Sequence, residues 1–168
     1  MPMSDYMRAL RAKLGNDLVL SPSATALIFD DSGRLMVMRH SNRNVWVTPG
    51  GAVEPGENPV DSIVREVWEE AALHVEPVEL LGVFGGPEFR VEYDNGDVVA
   101  YVIAAYRCRV LSGTPKPDGE ETLEVRFVTA QELAALDLAP WARTVLPRLM
   151  PNSGTPWLPA PTWSPPQA

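Results

Sequence analysis

Three glutamates stand within five residues, Glu66, Glu69 and Glu70, in the stretch VREVWEEAAL. Carboxylates crowded on a few turns of helix repel one another unless a cation sits among them, and a divalent ion with oxygen ligands does that. Just upstream, Gly50, Gly51 and Gly56 lie in a loop that lets backbone groups approach a ligand without side-chain obstruction. The junction of such a loop with a helix N-terminus suits phosphate-like anions. Together these parts would suit hydrolysis or transfer at a phosphoanhydride, with Mg²⁺ or Mn²⁺ neutralising the diphosphate. The competing reading of the three glutamates alone is a solvated helix face beside a Gly-rich turn.

The helix that must carry them has clear start signals. Asn58 can accept from the first free N–H groups, Pro59 suits the first helical position, and Asp61 is favoured in the first turn. Val60, Ile63, Val64, Val67 and Ala71 recur at helical spacing and predict one apolar stripe, with the glutamates on a separate face. Arg65 precedes Glu69 by four residues, a spacing that allows pairing.

Around this centre the chain reads as one α/β unit. Residues 4–14 predict a short amphipathic helix whose Tyr6, Met7, Leu10 and Leu14 face one partner, either the chain's own core or a second copy in a homodimer. Runs at 24–29 and 35–38 flank Asp30-Asp31-Ser32-Gly33 and predict a hairpin. A strand is expected at 78–84. Asn95-Gly96 predicts a second hairpin between 89–93 and 98–110, whose second arm is apolar enough for a central strand. A further strand at 123–128 and helices opening at Thr129-Ala-Gln-Glu132 and Pro140 complete residues 1–150, read as a single domain. The segment 151–168 holds six prolines with Trp157 and Trp163, so it is either an extended tail or one docked by its tryptophans.

Composition narrows the partners. A net charge of −8 argues against broad nucleic-acid binding, which wants a basic surface. Cys108 stands alone, which excludes an internal disulfide framework and a cysteine-rich zinc site. No apolar run approaches the roughly 18 residues of a membrane span, and the first residues lack a signal-peptide core. The expectation is a cytoplasmic protein without membrane or nucleic-acid partners.

The spacing of the central stretch is more specific than its composition. Gly51, Glu57, Arg65-Glu66-Val67, Glu69-Glu70 and Leu73 match eight of the nine fixed positions of G-x5-E-x7-R-E-U-x-E-E-x-G-U, where U is aliphatic. The chain thereby resembles the Nudix hydrolases, as do the preceding W-x-x-P-G-G at Trp46–Gly51 and the strand and helix around Glu124–Phe127 and Glu132-Leu133. The resemblance covers about residues 20–150. It implies a Nudix fold of the α+β kind, a mixed β-sheet sandwiched between helices. It also implies Mg²⁺-dependent (or Mn²⁺-dependent) cleavage of a nucleoside diphosphate derivative: a nucleoside triphosphate, ADP-ribose, a sugar nucleotide or a dinucleoside polyphosphate. Glu66, Glu69 and Glu70 would bind metal, helped by the Gly50 carbonyl, with Glu66 as an alternative base towards water. Arg65 would orient Glu69, and Glu57 would brace the loop against the helix. Glu121, with Glu120 in reserve, would add a later acidic ligand. Arg39, Trp46 and Gly51 would contact substrate, the alternatives being an ordinary surface Arg39 and a core Trp46, since an aromatic before a tight turn is more often core. Arg90, Tyr93 and Tyr101 lie where a base or sugar could be met, whereas His40 and His74 read as surface residues. Ala72 replaces the pattern's last Gly, where a left-handed residue ends the helix and Ala costs on the order of 1 kcal/mol. Two rivals follow: a catalytically idle nucleotide-binding module that regulates a partner, and an isomerase of prenyl diphosphates.

Overall fold

The structure, a computed structural model, describes residues 3–41, 43–150 and 156–158. Its elements in chain order are α1 (Asp5–Leu14), β1 (Val19–Ile28), β2 (Leu35–His40), β3 (Trp46–Val47), β4 (Gly50–Ala52), α2 (Pro59–Ala71), β5 (Leu73–Phe84), β6 (Arg90–Glu92), β7 (Val98–Gly113), β8 (Thr122–Val128), α3 (Ala130–Ala134) and α4 (Pro140–Leu149).

Two sheets result. The larger has the order β4-β1-β7-β5, with β6 also paired to β7. It is mixed: β1 runs parallel to β7 from Val19↔Val99 to Ile28↔Cys108, and the other pairs are antiparallel. The smaller sheet is antiparallel, in the order β3-β2-β8. β7 is central, as its two-sided apolar sequence requires. The Asn95-Gly96 turn closes the β6–β7 hairpin, with Gly96 at φ 86°.

The hairpin expected between 24–29 and 35–38 does not form. β1 and β2 belong to different sheets, and the only backbone pairing between their ends among the described residues is a single bridge, Phe29↔Leu35. The turn chemistry is as read: Asp30 Oδ1 accepts from the N–H groups of Ser32 and Arg34, both at 2.9 Å. A tight reversal fixes direction, whereas partner choice is settled by burial, and β1 is buried on both faces from Ser23 to Ile28. The strand expected at 78–84 begins earlier, at Leu73, directly after α2.

Two cores hold these layers. One packs Ile63, Val67 and Ala71 of α2 against Ala24, Ala26 and Ile28 of β1, with Met36 and Met38 of β2 behind. The other packs Val145, Leu146 and Leu149 of α4 against Leu27, Ile103 and Phe84. Trp157 joins the second. Its N–H donates to the Leu81 carbonyl at 2.9 Å, its ring stacks on Phe84 with centroids 5.2 Å apart, and the Arg148 guanidinium lies 4.8 Å from its centroid. Trp157 is therefore docked, while Trp163 lies outside the described residues.

Candidate active site

The site is assembled where β4 meets α2. The turn before β4 is tied to β1: Thr25 Oγ1 donates to the Pro49 carbonyl at 3.0 Å and accepts from Thr48 Oγ1 at 2.7 Å. Ser23 Oγ donates to the Gly51 carbonyl at 2.6 Å. Gly50, at φ 149°, presses against the backbone of Ala24 and Thr25, so a Cβ there has no room. At Gly51 the same space is taken by the Glu66 carboxylate. Both glycines thus let backbone and carboxylate approach.

The helix starts as its sequence dictates, with Asn58 Oδ1 accepting from the N–H groups of Val60 at 2.9 Å and Asp61 at 3.1 Å. It ends at Ala72 in the left-handed conformation, φ 55° and ψ 32°. Ala there performs the turn that Gly would make with less strain.

The glutamates do not share one separate face. Glu66 and Glu70 are buried, 4% and 5% exposed, at the margin of the apolar stripe, and Glu69 alone is largely open to solvent. The reason is helical spacing: Ile63, Glu66 and Glu70 follow at three and four residues, so burying Ile63 and Val67 carries both carboxylates inward. Glu70 Oε2 accepts from the Gly50 N–H at 2.9 Å. Burial pushes its carboxyl up to about 8; the Gly50 N–H opposes the rise, and the charges of Glu66 and Asp118 add to it. Burial also raises Glu66, against the pull of Arg65.

Arg65 serves three carboxylates. It grips Glu57 with Nε at 2.7 Å and Nη2 at 2.9 Å, reaches Glu66 at 2.8 Å, and stands 3.3 Å from Glu69. Its main partner is therefore Glu57, and Glu69 is its weakest. The pairing holds the Glu57 carboxyl below its ordinary range. Glu57 also accepts from the Glu54 N–H at 3.1 Å, and Arg65 donates to the Ala52 carbonyl at 3.2 Å, so the loop and helix are laced together.

The other expected residues are more scattered. Trp46 is 6% exposed in the core, with the Arg126 guanidinium 3.9 Å from its ring centroid, and so offers no open face to a ligand. Arg39 is engaged by Glu124 at 3.3 Å and Asn44 at 2.8 Å. His74 is exposed; His40 is half-buried, and burial lowers its pKa. Tyr93 and Tyr101 join hydroxyls at 2.6 Å, with Arg43 over the Tyr93 ring, and Arg90 pairs with Glu92. Glu120 and Glu121 lie in a turn organised by Asp118, whose Oδ1 accepts from the N–H groups of Glu120, Glu121 and Thr122 at 3.0, 3.1 and 2.8 Å. Asp118 is the residue that sequence reasoning missed: its charge is felt by both Glu70 and His40. The Asp118-Gly119 pair reads as a turn signal, and nothing local says that the turn returns towards α2.

Among the described residues, no three acidic, histidine or cysteine side chains converge as a metal cage in this arrangement. Arg65 instead stands among Glu57, Glu66 and Glu69. The donor set nonetheless fits a hard divalent cation. The charge of Glu66 raises the proton affinity of buried Glu70, and no Arg or Lys among the described residues pairs with Glu70.

This fold and this glutamate cluster belong to a known class. The sequence model of the NUDIX domain matches residues 19–149, and the chain belongs to that family of hydrolases acting on nucleoside diphosphate-linked moieties. A "MutT-like protein" of Streptomyces ambofaciens is 32% identical over 114 residues, 68% of this chain and 67% of the relative. An "RNA pyrophosphohydrolase" of Psychrobacter cryohalolentis is 35% identical over 57 residues, 34% of this chain, so the match spans only 33% of that relative. Among solved structures, a NUDIX hydrolase from Nitrosomonas europaea superposes with a TM-score of 0.65 at 26% identity, covering 81% of this chain and 74% of the other. No described helix is long and apolar enough to cross a membrane.

Proposed function

We propose that the chain is a metal-dependent pyrophosphohydrolase that cleaves the diphosphate linkage of a nucleoside diphosphate derivative, with Mg²⁺ or Mn²⁺ held by Glu66, Glu69 and Glu70. The observation that carries this reading is the burial of Glu66 and Glu70 against Gly50 and Gly51, with only part of one guanidinium to offset their charge. Buried carboxylates left so exposed to one another are costly, and a cation bound in function offsets that cost. When bound, the ion would neutralise the diphosphate and lower the pKa of an attacking water.

The chain's own residues have separate tasks. Gly50 lets the loop lie against β1 and Gly51 leaves room for the Glu66 carboxylate, so that the loop a diphosphate would approach is held next to the buried carboxylates. Arg65 and Glu57 fix the loop on the helix, which holds Glu66 and Glu70 in place without substrate. Glu69 keeps a solvent-facing carboxylate beside the buried pair, with its weak hold on Arg65 as the contact to be exchanged. Asp118, Glu120 and Glu121 belong to the turn that supplies additional negative charge. The substrates to be separated are nucleoside triphosphates, ADP-ribose, sugar nucleotides and dinucleoside polyphosphates. The relative named "RNA pyrophosphohydrolase" adds RNA to the substrates to try.

The test is a panel of those substrates with Mg²⁺ and with Mn²⁺, followed by phosphate and nucleotide release. Turnover that needs metal and is lost in Glu69→Gln and Glu70→Gln supports the reading. Ligand binding without turnover of any substrate would favour an idle regulatory module instead.

A further inference from the structure

The face of β1 that meets the smaller sheet is apolar at Leu27 and polar towards its start. Ser21, Ser23 and Thr25 alternate onto that face, and all three are buried. Thr25 and Ser23 hold the carbonyls of Pro49 and Gly51, in the loop beside Glu66 and Glu70. Ser21 stands further from the loop, in register with Tyr101 of β7, and its hydroxyl makes only a long contact of 3.3 Å to the Pro22 carbonyl. Tyr101 is two strands across and three residues along from Gly51, about 14 Å at ordinary strand spacings. A ribose and its base bridge that distance from a diphosphate at the loop.

Both sheets contribute to the surroundings of Tyr101. Its hydroxyl meets that of Tyr93 at 2.6 Å, and Arg43, on the loop between β2 and β3, places its guanidinium 5.7 Å from the centroid of the Tyr93 ring. One proton fills the contact between the phenols, so the second O–H has no acceptor among the described residues. Arg43 is exposed and donates to the Glu92 carbonyl. It pairs with no carboxylate among the described residues, which leaves most of its N–H donors unused. Its charge is felt by Tyr101 and by His40, and that of Asp118 by His40 and by Glu70. The aromatic pair and the buried glutamates therefore border one continuous region.

We propose that this region receives the base of the substrate: the base stacks on the Tyr93 ring in the place now taken by the guanidinium, and Arg43 turns to the base edge to donate to a ring carbonyl. Guanine and uracil then bind in preference to adenine. The inference deepens the hydrolase reading above and rests on it for the position of the diphosphate. Stacking tolerates any base, because every base has a π face, so Tyr93 supplies affinity without choice. Choice comes from Arg43, which has donors and no acceptor. A ring carbonyl satisfies those donors, whereas adenine turns an amino group towards them and leaves them unpaired.

Calorimetric titration of the full chain with GMP, UMP and AMP in Mg²⁺ tests this, since a monophosphate has no diphosphate linkage to cleave. Methylenediphosphonate, which carries no base and resists hydrolysis, is the control probe. GMP and UMP should bind the wild type at least about 10-fold more tightly than AMP, and Arg43→Gln should abolish that preference. Tyr93→Leu should weaken all three by about 10-fold. Methylenediphosphonate should bind both variants as it binds the wild type. Arg43 is exposed, so Arg43→Gln keeps the fold and decides the question even where Tyr93→Leu does not fold. Three results would each overturn the proposal: AMP bound as tightly as GMP, a preference that survives Arg43→Gln, or an Arg43→Gln variant that loses methylenediphosphonate as much as GMP, which would make Arg43 a phosphate ligand. Base preference without hydrolysis of any substrate upholds this inference and counts against the hydrolase reading, while hydrolysis without base preference does the reverse.

Discussion

Glu70 should make the metal-free protein less stable as it ionises, and Glu70→Gln should relieve that loss while abolishing function. An unfolded glutamate titrates near its ordinary value of 4.5, and the folded carboxyl is pushed up to about 8 by burial. Between those values the folded state binds the proton more tightly. The contribution to stability is therefore fully present below pH 4.5 and is lost as pH rises through 8. At about 1.4 kcal/mol for each tenfold change in proton affinity, the ceiling on the loss is about 5 kcal/mol, and local relaxation and water entry reduce it to about 2–3 kcal/mol. Glutamine keeps an oxygen able to accept from the Gly50 N–H, 2.9 Å from the glutamate oxygen, so the variant removes the charge and leaves the contact.

The assay is urea unfolding followed by tryptophan fluorescence, in chelator, from pH 5 to pH 8. The quantity to read is the wild-type minus variant difference, in which titrations not coupled to Glu70 cancel. Wild type should fall relative to Glu70→Gln as pH rises. Mg²⁺ at pH 8 should restore the wild type and leave the variant unmoved. Hydrolysis by the variant should drop by at least about 100-fold. A difference that stays flat across this pH range would refute the claim that Glu70 is held as a buried, poorly compensated carboxyl.

Ala72→Gly should raise stability by roughly 0.5–1 kcal/mol, because Ala72 sits at φ 55° where glycine is unstrained; the unfolding midpoint reads it, and a lower midpoint would contradict it. Arg65→Lys should behave much like Arg65→Ala, losing about 2–3 kcal/mol, since an ammonium cannot reproduce the two-pronged grip on Glu57; denaturant curves of both variants measure it. That grip lowers the Glu57 carboxyl, so its contribution is present above the ordinary glutamate range and is lost as pH falls through the folded value, which an acid titration of wild type against Glu57→Gln detects. Cys108 is 5% exposed and its thiol is pushed up to about 12, so it should resist a thiol reagent at pH 8 until denaturant is added.

Local signals read correctly where the deciding contacts were local. Asn58 caps α2, Thr129 and Glu132 cap α3 reciprocally, and Asn95-Gly96 turns the β6–β7 hairpin, each within a few residues. The β1–β2 reading failed because the partner of β1 is β7, about 80 residues away, and no turn residue encodes that choice. A spacing of four along the helix points Arg65 to Glu69, whereas its tighter partner, Glu57, lies across the loop before the helix starts. Trp46 reads as a pocket wall or, as is more frequent for an aromatic before a tight turn, as core, and the structure closes it in the core at 6% exposure. What closes it is Arg126 of β8, together with a bridge from Trp46 to Leu138.

The most instructive misreading concerns the glutamates, since a separate acidic face would have been inexpensive and of little use. Exposed on a helix flank, three carboxylates are solvated, weakly coupled and slow to prefer an ion over water. Placed at i+3 and i+7 from Ile63, Glu66 and Glu70 are drawn inward by the same packing that buries Ala71 together with Ile63 and Val67, the last two worth about 1.5–3 kcal/mol each by side-chain burial. The apolar stripe thus supplies the free energy that holds two charges where water solvates them poorly. Gly50 and Gly51 supply the space, and a short reach by Arg65 offsets Glu66 but not Glu70. Glu69, left outside at 42% side-chain exposure, is the carboxylate free to adjust when a cation arrives. A helix built this way carries its stability and its electrostatic strain on adjoining positions, so relieving the strain at Glu70 stabilises the fold and removes the site in one substitution.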